Sequence, residues 1–289
     1  YSHVERAGLD WAQRIDAFAP RLEAAKEPRA FAELAAKMLE PAGDVHLWLD
    51  VGGQQVPTFR RMSEWNVSTR RLPQVVPNWR EQNPIMATGE FTDGVRYVCV
   101  RGWPSDGAAQ IEPVFTAIAD AGKAGRPLVI DVRANGGGSE PLAATVAGCF
   151  VEKAVPYAKH ATRMGGKFGE PVERTLEPNA ARPPFRGRVA VLIGPGTVSS
   201  SESFAMMMKQ APRCQLVGAP TAGCSGNPKP VDLGNGVTAF VPSWKDLRLD
   251  GTCIEGEGFA PDIRVATRPA DFARSDPVID AALRALRKK

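Results

Sequence analysis

The chain has 289 residues, 43% of them hydrophobic, and a formal net charge of +4. That is enough apolar material for one large core or two small ones. The scattered basic residues, with no basic stripe interleaved with aromatics, give no support for nucleic acid as a partner.

No apolar run reaches the roughly 18 residues of a membrane span. Arg60-Arg61, Arg70-Arg71 and the terminal Arg287-Lys288-Lys289 read as solvated surface. The chain opens at Tyr1, as a processed or trimmed chain does, so an export signal would lie out of view. Five cysteines include no C-x-x-C pair, so no metal site is expected. Their odd number does not describe a disulfide framework, although one bridge stays open. Cys99 and Cys214 lie in apolar runs and read as core.

In chain order, two helices open the protein. Trp11, Ile15, Phe18 and Leu22 recur at helical spacing, with Pro20 expected to kink or break that helix. Phe31, Leu34, Ala35, Met38 and Leu39 give a cleaner stripe after Pro28, stopped by Pro41-Ala42-Gly43. Asp44 to Asp50 alternates as a short strand. Residues 51 to 92 read as strands and long loops, and Asn66-Val67-Ser68 fits a glycosylation triplet of the kind that arises by chance. From residue 94 strands and helices alternate. Val95–Val100 is a strand, Ile111 to Ile118 a helix, and Pro127–Arg133 a buried strand. A helix covers about 139 to 150, a strand Val155 to Ala161, and an extended loop 163 to 186. Val189–Ile193, Gln215–Gly218, Thr238–Val241 and Ile263–Val265 are further strands, and a last helix starts at Pro277. Strands alternating with helices define an α/β class with parallel pairs.

Three stretches could carry chemistry. Thr197 to Phe204 places a run of serines where the strand Val189–Ile193, after the Gly194-Pro195-Gly196 turn, hands over to a helix. Unpaired N–H groups at a helix start favour an oxyanion there; serine also simply caps helices. Asp131 to Gly138 puts three glycines after a buried strand, either as a tight turn or as backbone amides aimed at a ligand. No Lys-Ser/Thr follows them, and Gly194 to Gly196 lacks a third glycine, so nucleotide and dinucleotide fingerprints are absent and no cofactor is expected. Gly251 to Asp262 carries Glu255 and Glu257 on a glycine-flanked turn. Of three histidines, His3 and His160 read as surface, and His46 as either a packed residue or a base.

Together these pieces resemble the carboxyl-terminal-processing serine peptidases and the related tricorn-type core proteases. The ordered set is Asp131-x-Arg133-x-Asn135-x-Gly137-Gly138, Gly196-Thr197-x-Ser199-x-Ser201-Glu202, Gly218-x-Pro220-Thr221-x-Gly223 and Gly256-x-Gly258-x-x-Pro261-Asp262, with Gly43-Asp44-Val45-His46 ahead of it. The resemblance spans about residues 8 to 288. It implies a ClpP/crotonase-like α/β core over 46–289, preceded by a helical segment over 1–45 and with no PDZ insertion. It implies Ser199 as nucleophile, and the amides of Ser200 and of Gly137 or Gly138 as oxyanion hole. Asn135 and Asn227 would line the substrate. The lysine of the processing branch is replaced by Cys224, so the base implied is His46, with Glu255 as its orienting acid and Glu257 the rival. The helper serine of the tricorn-type branch is replaced by Val45, with Asp44 or Ser225 as substitutes or Glu255 reaching the ring directly. The activity implied is peptide-bond hydrolysis of a peptide or protein substrate, with export to periplasm, envelope or medium favoured. Two other readings stay open: a non-catalytic carrier of hydrophobic or peptide ligands, and a crotonase-like enzyme on acyl-thioesters. The sequence is silent on oligomeric state.

Overall fold

The computed structural model describes every residue except Arg6, Ala7, Met62, Ser63, Lys288 and Lys289, so the last two of the terminal basic residues lie outside the described residues. The chain divides into two compact units. One comprises Tyr1–Met62, His160–Val172 and Cys224–Leu247; the other comprises Ser63–Lys159, Glu173–Gly223 and Arg248–Lys289.

The elements, in chain order, are α1 (Trp11–Ala24), α2 (Pro28–Leu39), β1 (Trp48–Val51), β2 (Gln54–Pro57), α3 (Leu72–Val75), β3 (Arg80–Asn83), β4 (Met86–Glu90) and β5 (Arg96–Val100). Then come α4 (Glu112–Lys123), β6 (Leu128–Asp131), α5 (Glu140–Ala147), β7 (Val155–Met164), β8 (Lys167–Phe168), β9 (Val172–Leu176) and β10 (Val189–Ile193). Last are α6 (Ser200–Met208), β11 (Cys214–Gly218), β12 (Lys229–Asp232), β13 (Val237–Val241), β14 (Trp244–Leu247), β15 (Ile263–Arg264) and α7 (Pro277–Arg287).

In the first unit an antiparallel sheet of order β12-β13-β1-β2 is covered by α2. Ala32, Ala35 and Ala36 of α2 bury against Leu49, Val56 and Val237. Small residues on the helix face let it approach the sheet closely. Trp48 and Phe240, cross-strand partners, stack at 4.7 Å. The first helix continues through Pro20 rather than breaking there. Proline removes one bond, to the carbonyl of Asp16, and that residue is exposed, so water can serve it. No residue of α1 is buried, and Ile15 is 49% exposed. The expected strand from Asp44 starts only at Trp48; Asp44 to His46 form a turn in which Asp44 Oδ1 accepts from His46 N at 2.8 Å.

The second unit is an α/β layer structure. Its seven-stranded sheet has the order β15-β11-β10-β6-β5-β4-β3. The strands from β15 to β5 run parallel, and β4 and β3 add antiparallel edges. The all-apolar strands Leu128–Ile130 and Val189–Ile193 are buried throughout, as a parallel sheet with two covered faces requires. One face packs on α4, α5 and α6 through Ile118, Val146 and Phe204; the other packs on α7 through Val278, Ala282 and Leu286. The stretch 163–186, expected as an extended loop, contains β8 and β9, and β3 is one of the strands within 51–92, expected there as strands and long loops without bounds. β3 is polar and exposed over Arg80 to Gln82, so it carries no alternation to read.

Candidate active site

Ser199 stands at the mouth of α6, at the carboxyl end of β10, with φ +58° and ψ −127°. A non-glycine residue in this region stores strain, of order 1–3 kcal/mol, that the surroundings must hold. They hold it from both sides. Thr197, fully buried, donates its hydroxyl to Val132 O at 2.9 Å, and Val198 N donates to Asn135 O at 3.1 Å. Behind the turn lies Glu202, fully buried. One carboxylate oxygen accepts from Thr221 Oγ1 at 2.6 Å and Gly223 N at 2.7 Å; the other accepts from Ser199 N at 3.3 Å. An acceptor-only group is suited to a helix start, where N–H groups outnumber partners.

The other serines of the run have structural tasks. Ser200 donates its hydroxyl to Gly138 O. Ser201 accepts from the Trp103 indole at 3.0 Å, and Ser203 donates to Glu140 at 3.1 Å.

The glycine loop lies directly against the serine. A Cβ on Gly137 would fall 2.7 Å from Ser199 Cβ, and one on Gly138 would fall 2.0 Å from Trp103 O. Both glycines have positive φ, +100° and +127°. Asn135 is fully buried, and its Oδ1 accepts from Gly137 N at 2.9 Å, so that amide is already engaged inside the loop. Gly138 is exposed to solvent. The Ser200 N–H, in the first turn of α6, has no intrahelical acceptor.

The remaining two motifs close the same assembly. Thr221 Oγ1 accepts from Phe259 N at 2.6 Å, and Gly256 N donates to Gly223 O at 2.7 Å. A Cβ on Gly258 would fall 2.2 Å from Thr221 O. The structure thus brings Asn135, Gly137, Gly138, Ser199, Ser200 and Glu202 together within the second unit.

Beneath the loop, Arg133 is fully buried. It donates to Asp131 Oδ2 at 2.6 Å, to both oxygens of Asp276 at 2.9 Å and to Asn66 O at 2.7 Å. Burial pulls the guanidinium's pKa down, but the two carboxylates outweigh it and hold it well above the usual arginine value. Tyr97 OH donates to Asp131 at 2.6 Å, and its pKa is pushed up, first by burial and then by that carboxylate. Asn66, the asparagine of the glycosylation triplet, is buried and donates to Ile193 O at 2.9 Å, so it is a structural residue.

His46 belongs to the first unit and is buried. Its Nδ1 lies 4.0 Å from Asp44 Oδ1 and has no hydrogen-bond partner among the described residues. Burial lowers its pKa below the usual 6.5, and the Asp44 charge acts the other way. Asp44, also buried, accepts from Tyr1 OH at 2.9 Å. Ser225 donates to the buried Asp246 at 2.8 Å. Asn227, at φ +45°, accepts on its carbonyl from Ser243 at 2.7 Å. His3 is buried rather than solvated, with the Tyr1 ring edge-on at 5.9 Å, and His160 packs on Trp244 at 4.6 Å. Glu255 is half-buried; Glu257 is exposed and 3.4 Å from Arg248.

Sequence reading missed the tasks of Glu202, Thr221 and Asp276. Glu202 and Thr221 stand in the ordered motifs without an assigned task, and Asp276 stands before the first-turn Pro277, where it accepts from Val278 N and Ile279 N as a helix cap. Among the described residues no helix is long and apolar enough to cross a membrane, and no cluster of His, Cys, Asp and Glu could hold a metal.

The fold and the ordered motifs define a class, and comparison with known proteins gives its name. The sequence profile of Peptidase family S41 matches residues 94–265. The chain belongs to that family. It is 31% identical over 151 residues to the carboxy-terminal processing protease CtpB of Bacillus subtilis, covering 52% of this chain and 30% of that protein. It is 27% identical over 173 residues to the chloroplastic C-terminal processing peptidase of Tetradesmus obliquus, covering 58% and 34%. The chain therefore spans about a third of the length of these curated relatives. A crystal structure from Parabacteroides merdae shares the fold at TM-score 0.78 and 22% identity, covering 97% of this chain and 90% of that one. A lipoprotein from Streptococcus agalactiae does so at TM-score 0.62 and 14% identity, covering 96% and 88%.

Proposed function

We propose that this chain is a serine peptidase that hydrolyses peptide bonds through an acyl-serine intermediate. The observation that carries this reading is Ser199, held at positive φ against the glycine loop by a fully buried carboxylate. Strain of this kind at a strand-to-helix turn projects a nucleophile and aims the following amide at its substrate. A hydroxyl needs a base to attack a carbonyl carbon. His46 is that base; its lowered pKa keeps it neutral, and able to accept a proton, at neutral pH. Glu255 is the orienting acid, preferred to Glu257, which faces solvent and Arg248. The oxyanion is stabilised by amides of Ser200 and of the glycine loop, with Gly138 the stronger candidate because Gly137 N already donates to Asn135. Asn135 then shapes the loop, and Asn227 borders the substrate. The substrate is a peptide or protein tail, as the names of the curated relatives suggest.

Ser199→Ala is expected to lower cleavage of a fluorogenic casein at least about 1,000-fold and to abolish labelling by a fluorophosphonate, with thermal unfolding nearly unchanged. Cleavage that survives the change would sink the proposal. A second expectation concerns pH. Because the His46 pKa lies below 6.5, the acid limb of kcat/KM falls below pH 6.5, and Asp44→Asn moves it lower still. The stability linkage has the matching sign. The neutral ring is preferred in the folded state, so His46 destabilises the fold progressively as pH drops below 6.5. A limb that moved upward in Asp44→Asn would contradict this.

One observation favours a second reading, a family member that binds a peptide or hydrophobic ligand without cleaving it. His46 Nδ1 has no hydrogen-bond partner among the described residues, and Val45 stands where the family's helper serine is expected. Covalent labelling of Ser199 by the fluorophosphonate decides between the two.

A further inference from the structure

The strands that end at the serine turn begin somewhere quite different. Arg126-Pro127 leads into β6, Arg188 into β10 and Arg213 into β11, three neighbouring parallel strands. Leu128 N donates to Arg188 O and Val189 N to Arg213 O, each at 3.0 Å, so these starts lie side by side. They border a cavity of about 720 Å³ whose lining includes Lys123, Arg126, Arg182, Arg186, Arg188 and Arg213, and no carboxylate. Its apolar wall is Phe115, Ile118, Cys149 and Phe185, with Pro183 and Pro184 beside them.

Two of the cations are neutralised. Arg182 pairs with Glu112 at 2.7 Å while lying 4.6 Å over the Phe115 ring, and Arg186 pairs with Glu152 at 2.8 Å. Among the described residues no ion pair engages Lys123, Arg126 or Arg213. Two of these three are positioned all the same. Arg213 Nη1 donates to Arg186 O at 2.7 Å, and the Arg126 guanidinium lies over Gly94. Like charges gathered at one mouth repel one another, and an anion relieves that repulsion. The apolar wall selects among anions, since it offers nothing to a fully hydrated ion.

We propose that this cavity binds a small amphipathic anion, an acid group carried on an apolar body, with the acid group among Lys123, Arg126 and Arg213 and the body against Phe115, Ile118 and Phe185. Five residues of β10 separate it from the serine turn, roughly 16 Å of extended chain, so it is distinct from the site that Ser199 marks and does not depend on catalysis there.

The test uses the whole chain and 8-anilinonaphthalene-1-sulfonate as a fluorescent probe. One saturable site is expected, with binding weakened at least tenfold between 20 and 300 mM salt. Decanoate should displace the probe at a concentration at least tenfold below that of decanol. Arg126→Glu with Arg213→Glu should weaken binding at least tenfold, while Arg70→Glu, the same charge change elsewhere, leaves it unchanged. If the double variant fails to fold, Lys123→Gln and Arg213→Gln, tested singly, should each weaken binding at least threefold. The absence of saturable binding, equal displacement by decanol, or unchanged binding in the arginine and lysine variants would each overturn the proposal.

Discussion

The two ends of β6, β10 and β11 are built on opposite terms. At their carboxyl ends polar groups are buried, paired and crowded: Arg133 between Asp131 and Asp276, Glu202 beneath Ser199, and glycines where a methyl would strike backbone. At their amino ends the charged groups are exposed, and three cations carry no ion pair among the described residues. The contrast shows where specificity resides. A strained serine keeps its geometry only if every neighbour is over-determined, and burial makes each polar contact there expensive to lose. The outer end holds side chains that can move to meet a ligand, and its contacts with water make it tolerant of change.

Changes at the two ends should therefore differ sharply in size. The largest effect is expected for Arg133→Met, which leaves Asp131 and Asp276 facing each other without their cation. A loss of about 3–5 kcal/mol in urea unfolding follows from breaking a buried pair; a loss below about 1 kcal/mol would mean that the cluster is not structural. Next is Glu202→Gln. The amide keeps one acceptor oxygen but turns an NH2 group toward the donors of Thr221, Gly223 or Ser199, so stability should fall by about 2–3 kcal/mol. Measuring this by denaturant midpoint alongside fluorophosphonate labelling shows whether the strained turn survives without its carboxylate. The smallest effect is expected at the opposite end. Arg213→Glu lies on the surface and should change stability by no more than about 0.5 kcal/mol, leaving casein cleavage intact. A large destabilisation there would erase the contrast between the two ends.

Much of the second unit was legible because local chemistry and fold agree. The run Val189–Ile193 could only be a buried strand. Gly194-Pro195-Gly196 turns the chain, and Pro277 announces a helix. What escaped reading was set by neighbours distant in the chain. β3 could not be placed within 51–92 because its exposed residues carry no alternation, and α1 crosses Pro20 because the freed carbonyl belongs to an exposed residue. His3 reads as a solvated terminus, but Tyr1 and Asp44 close over that end of the chain. Glu202 looks like one more first-turn acid until Thr221 and Gly223 are placed on it.

The order of residues alone determined that strands alternate with helices, that a serine follows a breaker turn at a helix start, and that a glycine loop precedes another helix. Those are properties of neighbouring residues: periodicity, backbone freedom and capping. Only the tertiary structure decided that Gly137 touches Ser199, that a carboxylate three residues on is sealed under it, and that arginines from three separate segments share one mouth. Each of these is a meeting of distant segments fixed by strand order and register, and no local pattern encodes which strand lies beside which.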